Sequence, residues 1–192
     1  MEKDEINALL NKAQGTPQFK KLAAESLQKI EEGELLKDAL GFTPEMMDAV
    51  YSNAYNMFQS GQYKRALPLF EYLHKLDPLD YNYPFSIAAC YQYQKMYEDA
   101  AAYYIICGEL DPLNPVPRFH LFSCFVNMNE LPSAWVAIQE TITLAEMDPQ
   151  YNELKDRALL EYKGFKKELK KYYDKKFGKE GKEFPDLGEG KL

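Results

Sequence analysis

The sequence is poor in the residues that usually do chemistry. Its only histidines, His74 and His120, form no two-histidine metal pattern and no HExxH motif. Its three cysteines, Cys90, Cys107 and Cys124, are 17 residues apart, a step that fits no zinc or redox motif, so they read as small apolar residues in a reduced compartment. The ten glycines mark turns and the carboxyl tail instead of gathering into a phosphate loop. Acid pairs such as Glu31-Glu32 read as solvated helix faces. No catalytic set emerges, and neither an enzyme, a metal nor a cofactor is expected. Long apolar runs are also missing: the longest, Ala100–Cys107, falls far short of the roughly 18–20 residues of a membrane span. The amino terminus, MEKDEINALL, is acidic and lacks the basic start and apolar core of a secretion signal. The expectation is a cytosolic protein with no stable membrane insertion. A net charge of -7 and a pI near 5.0 argue against nucleic acid as a partner.

What the chain does have is apolar residues (46%) and aromatics (14%), with 15 tyrosines against one tryptophan, enough for a packed core. It also has a period. Ala66, Ala100 and Ala134 are each 34 residues apart, and the pairs Asp77-Pro78 and Asp111-Pro112 keep that step. A 34-residue period is the mark of the tetratricopeptide repeat (TPR), a helix-turn-helix unit. Counting Tyr81 as position 1, Ala88 and Ala100 are the small residues at positions 8 and 20, with Tyr97, Tyr104 and Pro112 at 17, 24 and 32. The preceding unit starts at Met47 and supplies Ala54, Tyr63, Ala66, Phe70 and Pro78 at the same places, with its turn at Gly61-Gln62-Tyr63. The third, from Pro115, is degenerate: Phe122 stands where a small residue is usual, and Asp148-Pro149 arrives three residues late. Small residues let paired helices approach closely, proline stops the second helix, and each pair leaves an apolar face that a neighbour must cover.

The fold expected is therefore an all-α TPR solenoid. Residues 1–16 read as a flexible start and 17–41 as a helical segment opened by Thr16-Pro17, with an apolar stripe Phe19, Leu22, Ala23, Ser26, Leu27 and Ile30. Residues 42–149 hold the three repeats, 47–80, 81–114 and 115–149, entered through the capping sequence Thr43-Pro44-Glu45. Residues 150–177 read as an amphipathic helix covering the last repeat, and 178–192, rich in glycine and charge, as a disordered tail. Charge is unevenly spread: residues 151–192 carry 12 Lys and Arg against 9 acids, residues 1–150 carry 11 against 21. The paired lysines of the last helix leave open a second use, contact with a membrane surface or a partner.

In a TPR array the concave face is lined by positions 2, 5, 9 and 12 of each first helix. Here these are Asp48, Tyr51, Tyr55 and Phe58; Asn82, Phe85, Ala89 and Gln92, with Tyr93 beside; and Val116, Phe119, Ser123 and Val126. A groove that clamps a carboxylate wants Lys and Asn where Tyr51 and Tyr55 stand. An aromatic, nearly uncharged face suits an extended apolar peptide instead, although some of these rings could equally be core.

The run from Tyr51 to Ala66, the closure Leu76-Asp77-Pro78, Ala89-Cys90-Tyr91-Gln92, and the proline-rich Asn114-Pro115-Val116-Pro117-Arg118-Phe119-His120 followed by Cys124 resemble the class II chaperones of bacterial type III secretion, the SycD/LcrH/IpgC family. The resemblance covers about residues 40–148. It implies a cytoplasmic chaperone for hydrophobic translocator proteins, whose Pro-x-Leu-x-x-Pro segment would lie against Tyr51, Tyr55, Phe58, Tyr63, Phe85, Ala89, Gln92, Tyr93 and Tyr104, together with Phe119, His120 and Ser123. It also implies a homodimer formed through helices ahead of the repeats. Residues 1–16 and the lysine-rich 160–192 exceed the usual family outline. Two other readings stay open: a general TPR scaffold, and a regulator acting through a transcription factor when free of client.

Overall fold

A computed structural model describes residues 17–177 of the chain; expectations placed on 1–16 and 178–192 lie outside the described residues. The described residues are helical throughout, without strands: α1 (Pro17–Glu31), α2 (Leu36–Ala39), α3 (Pro44–Gln59), α4 (Tyr63–Leu76), α5 (Asn82–Tyr93), α6 (Tyr97–Leu110), α7 (Pro115–Asn127), α8 (Leu131–Met147), a 3-10 turn (Pro149–Tyr151) and α9 (Asn152–Phe177). The chain divides into two compact units, Met1–Leu79 and Asp80–Leu192. Among these helices, none is long and apolar enough to cross a membrane.

In the first unit, α3 begins three residues ahead of the repeat landmark Met47 because Thr43 caps it: the Thr43 hydroxyl accepts from the Met46 amide at 3.3 Å, with Pro44 in the first turn. The helix pair α3 and α4 closes over Ala54 and Ala66, both fully buried, with Phe70, Leu73 and Leu76 behind them. Asp77 ends α4; its carboxylate accepts from the Leu79 amide at 3.2 Å and pairs with Lys37 of α2, tying the short helix to the repeat. Of the stripe expected on α1, Ser26 is buried, Leu27 half-buried and Ile30 exposed, while the side chains of Phe19, Leu22 and Ala23 lie outside the described ones.

The second unit stacks α5 to α9 in sequence order. Ala88 and Ala100 are fully buried at the contact of α5 and α6, and Ala134 fills the same role on α8. Asn114 caps α7 by accepting from the Val116 amide at 3.0 Å. Gly108 is a further close approach: a Cβ there would come within 2.2 Å of the Arg118 guanidinium, which crosses from α7 and reaches Glu140 of α8 at 3.1 Å. The late closure of the third repeat is a longer helix, since α8 has 17 residues where α4 and α6 have 14. Its anomalous Phe122 is buried against Phe119 and, at 5.4 Å and nearly perpendicular, Phe165 of α9. The last helix thus docks through Ala158, Phe165 and Leu169, with Tyr162 stacked on the single tryptophan, Trp135, at 5.1 Å.

The three turns inside the repeats share one backbone. Gly61, Lys95 and Asn129, 34 residues apart, sit at φ +74°, +63° and +61°. Beyond each, the amide of Gln62, Met96 or Glu130 bonds back to the carbonyl of Met57, Tyr91 or Phe125 at 2.9–3.0 Å, the left-handed helix ending that satisfies the last free carbonyls.

Candidate functional site

Each unit carries part of the aromatic set. In the first, Tyr51, Tyr55 and Phe58 follow one another by four and three residues and so share one face of α3. Their rings run as a ladder: Tyr51 to Tyr55 at 6.1 Å and 16°, Tyr55 to Phe58 at 6.4 Å and 21°, then Tyr63 edge-on to Phe58 at 5.3 Å. Tyr51 also meets buried Phe70 edge-on, which anchors the ladder at one end, while Tyr55 stands 44% exposed. Pre-stacked rings on a rigid helix offer apolar area to a partner at little conformational cost.

In the second unit the set is built around Gln92. Its side-chain oxygen accepts from the Tyr104 hydroxyl at 2.7 Å and meets His120 Nδ1 at 3.1 Å, while its amide nitrogen donates to Ser123 Oγ at 3.3 Å. A carbonyl oxygen only accepts, so Nδ1 must carry the imidazole proton, leaving Nε2 an acceptor. Burial, seconded by the positive Arg157, lowers His120 to a pKa of about 4, so the ring is neutral near pH 7. It lies nearly flat on Tyr104, centroids 4.9 Å apart, and Phe85 stands edge-on to both at 5.6 Å. Burial also raises the Tyr104 hydroxyl and pushes the Cys107 and Cys124 thiols up to about 12 and 11, far from thiolate chemistry; Cys90 is buried as well, and no disulfide joins the three.

Two of the expected contact residues are buried in the free chain, Tyr104 fully and Phe119 nearly so. Position 24 of the repeat lies on the second helix and faces the first helices of its own repeat and the next, so Tyr104 supports the face from beneath and does not line it. Phe119 is covered from above by Arg157, 4.9 Å from its ring centre. Phe85, Ala89, Gln92, His120 and Ser123 are half-buried, and Tyr93 is 62% exposed. Two elements escaped the sequence reading: Arg157 of the last helix, and the cleft beside it, of about 360 Å³, between α7 and α9. The signal for the cleft was Gly164, a glycine in the middle of a 26-residue helix. Among the described residues no group of three or more His, Cys, Asp or Glu is placed to hold a metal.

No protein-family model matches the chain. The low calcium response locus protein H of Yersinia pseudotuberculosis is 30% identical over 125 residues, 64% of this chain and 74% of that protein. The chain belongs to the class II chaperones of type III secretion. A family member of known structure, the type III secretion chaperone SycD of Yersinia enterocolitica in complex with a peptide of the translocator YopD, superimposes with a TM-score of 0.63 at 29% identity, over 67% of this chain and 97% of that one. PcrH, in complex with the chaperone binding region of PopD, does so with a TM-score of 0.65 at 25% identity, over 67% and 97%. The likeness extends over nearly the full length of the two solved chains and 74% of the Yersinia pseudotuberculosis protein, while leaving about a third of the present chain outside it.

Proposed function

We propose that the chain is a non-enzymatic cytoplasmic chaperone that binds an extended segment of hydrophobic translocator proteins and keeps them soluble and apart before secretion. The observation that carries the reading is the face around Gln92. The Tyr104 hydroxyl and the His120 Nδ1-H are already satisfied by Gln92, so an apolar ligand can cover them without stranding those donors, and Phe85 and Tyr93 stand ready to pack on prolines and leucines. His120 Nε2 supplies one acceptor for a backbone amide of the client. The ladder of Tyr51, Tyr55, Phe58 and Tyr63 is proposed as a second set of client contacts, on its own unit. A homodimer, which the dimeric structure of SycD supports, belongs to the same reading, with 17–40 proposed as its surface.

Calorimetric titration with a Pro-x-Leu-x-x-Pro peptide, into the wild type and into Tyr51→Ala/Tyr55→Ala, tests it. Saturable binding that falls by about 1–4 kcal/mol in the double variant is expected, the range for an aromatic anchor. A folded wild type that binds nothing would return the general scaffold to first place. That scaffold has its own support in the exposed Lys163, Lys167, Lys170, Lys171 and Lys175 of α9; sedimentation with anionic vesicles distinguishes it, since a chaperone whose last helix only covers the repeat stays in the supernatant.

A further inference from the structure

The cleft between α7 and α9 has an apolar floor made by Phe119, Phe122 and Phe165. Its α9 wall is Arg157, Glu161, Gly164 and Glu168, residues separated by four, three and four, hence one face of the helix. Gly164 has no local reason to be there. Its φ lies outside the left-handed region, and a Cβ added to it would meet nothing within 4 Å, yet glycine inside a helix costs roughly 0.5–1 kcal/mol relative to alanine. What the missing side chain does is leave the wall of the cleft open. The rim is acidic on balance, two carboxylates against one guanidinium, and that guanidinium is held down over the Phe119 ring. The cleft also runs on from the face around Gln92, because Ser123 lines the cleft and accepts the Gln92 hydrogen bond.

We propose that this cleft is an additional client subsite that seats one large apolar side chain, of leucine or methionine size, from a position next to a lysine or arginine that pairs with Glu161 or Glu168. The volume is in the range of small-ligand pockets, the floor is aromatic, and the rim complements a basic neighbour. The inference rests on the client reading above and deepens it: the last helix would select the sequence flanking the core motif, and not only cover the final repeat.

The test uses the full chain and three fluorescent peptides: the Pro-x-Leu-x-x-Pro core alone, and the core extended at either end by six residues containing Leu-Lys. One of the two extensions should bind about tenfold more tightly than the core, the equivalent of one buried apolar anchor. Gly164→Leu fills the cleft from a position with room for a side chain. It should abolish that gain while leaving core affinity within about twofold and thermal stability at or above the wild type, as expected for replacing a helix glycine. Glu161→Gln/Glu168→Gln should remove part of the gain and flatten its salt dependence. A core that binds without any gain from either extension, or a gain that survives in Gly164→Leu, overturns the subsite alone. A core that does not bind overturns the client reading and the subsite with it. Should Gly164→Leu change the oligomeric state and leave every peptide affinity untouched, the cleft belongs to a second copy of the chain, and the subsite is likewise overturned.

Discussion

The two aromatic faces solve the same problem with different materials. In the first unit the rings of Tyr51, Tyr55, Phe58 and Tyr63 hold one another, edge and face, along a single helix and onto Phe70. In the second, Phe85 and His120 are held from below by a buried polar hub in which one Gln92 oxygen serves Tyr104 and His120 together. A ladder of rings tolerates the loss of a rung, since each contact is worth only about 0.5–1.5 kcal/mol beyond the area it buries. A hub does not, because removing its centre strands two donors at once. The first face is therefore adaptable and the second specified.

The sharpest way to break this contrast is Gln92→Leu, similar in bulk but without the amide. It should cost about 2–5 kcal/mol of unfolding free energy by leaving the Tyr104 hydroxyl and His120 Nδ1-H unpaired in a buried site; a loss under about 1 kcal/mol by urea titration would show the hub to be ornamental. Next comes acid. With a folded pKa of about 4 against the usual 6.5, His120 binds its proton more readily in the unfolded chain, so stability is fully present above 6.5 and lost as pH falls toward 4. The ceiling of that loss is about 3 kcal/mol, read as the difference between wild type and His120→Phe in urea unfolding at pH 7.5 and 4.5. The smallest effect on the fold belongs to Tyr55→Ala, about 0.5–1 kcal/mol for an exposed ring, while its effect on client binding should be the larger of the two. Equal losses in both measurements would make the ladder a structural feature.

Much of this was legible in the letters. The 34-residue step, the cap at Thr43 and the amphipathic α9 are local signals, and the structure places helices where they point. Sidedness was less legible. Tyr104 and Phe85 are both aromatic and near in sequence, but only the crossing of helices from two repeats decides that the first is sealed and the second half open. Phe122 was visible as an exception to the small-residue rule, yet its reason, the ring of Phe165 arriving 43 residues later, is a tertiary fact. Arg157 was hidden for the opposite cause: a charge on a lysine-rich helix gives no hint that it will lie over a phenylalanine.

The left-handed turns at Gly61, Lys95 and Asn129 carry a lesson of another kind. Three unrelated residues spell the same corner, because the instruction resides in the backbone bonds that close behind them and not in the side chain. Lysine accepts that conformation only against a steric cost of roughly 1–2 kcal/mol, so the middle repeat holds a reserve that Lys95→Gly would release. To an engineer the three corners are interchangeable joints, at which a loop or a tag can be spliced with the flanking helices already told where to stop.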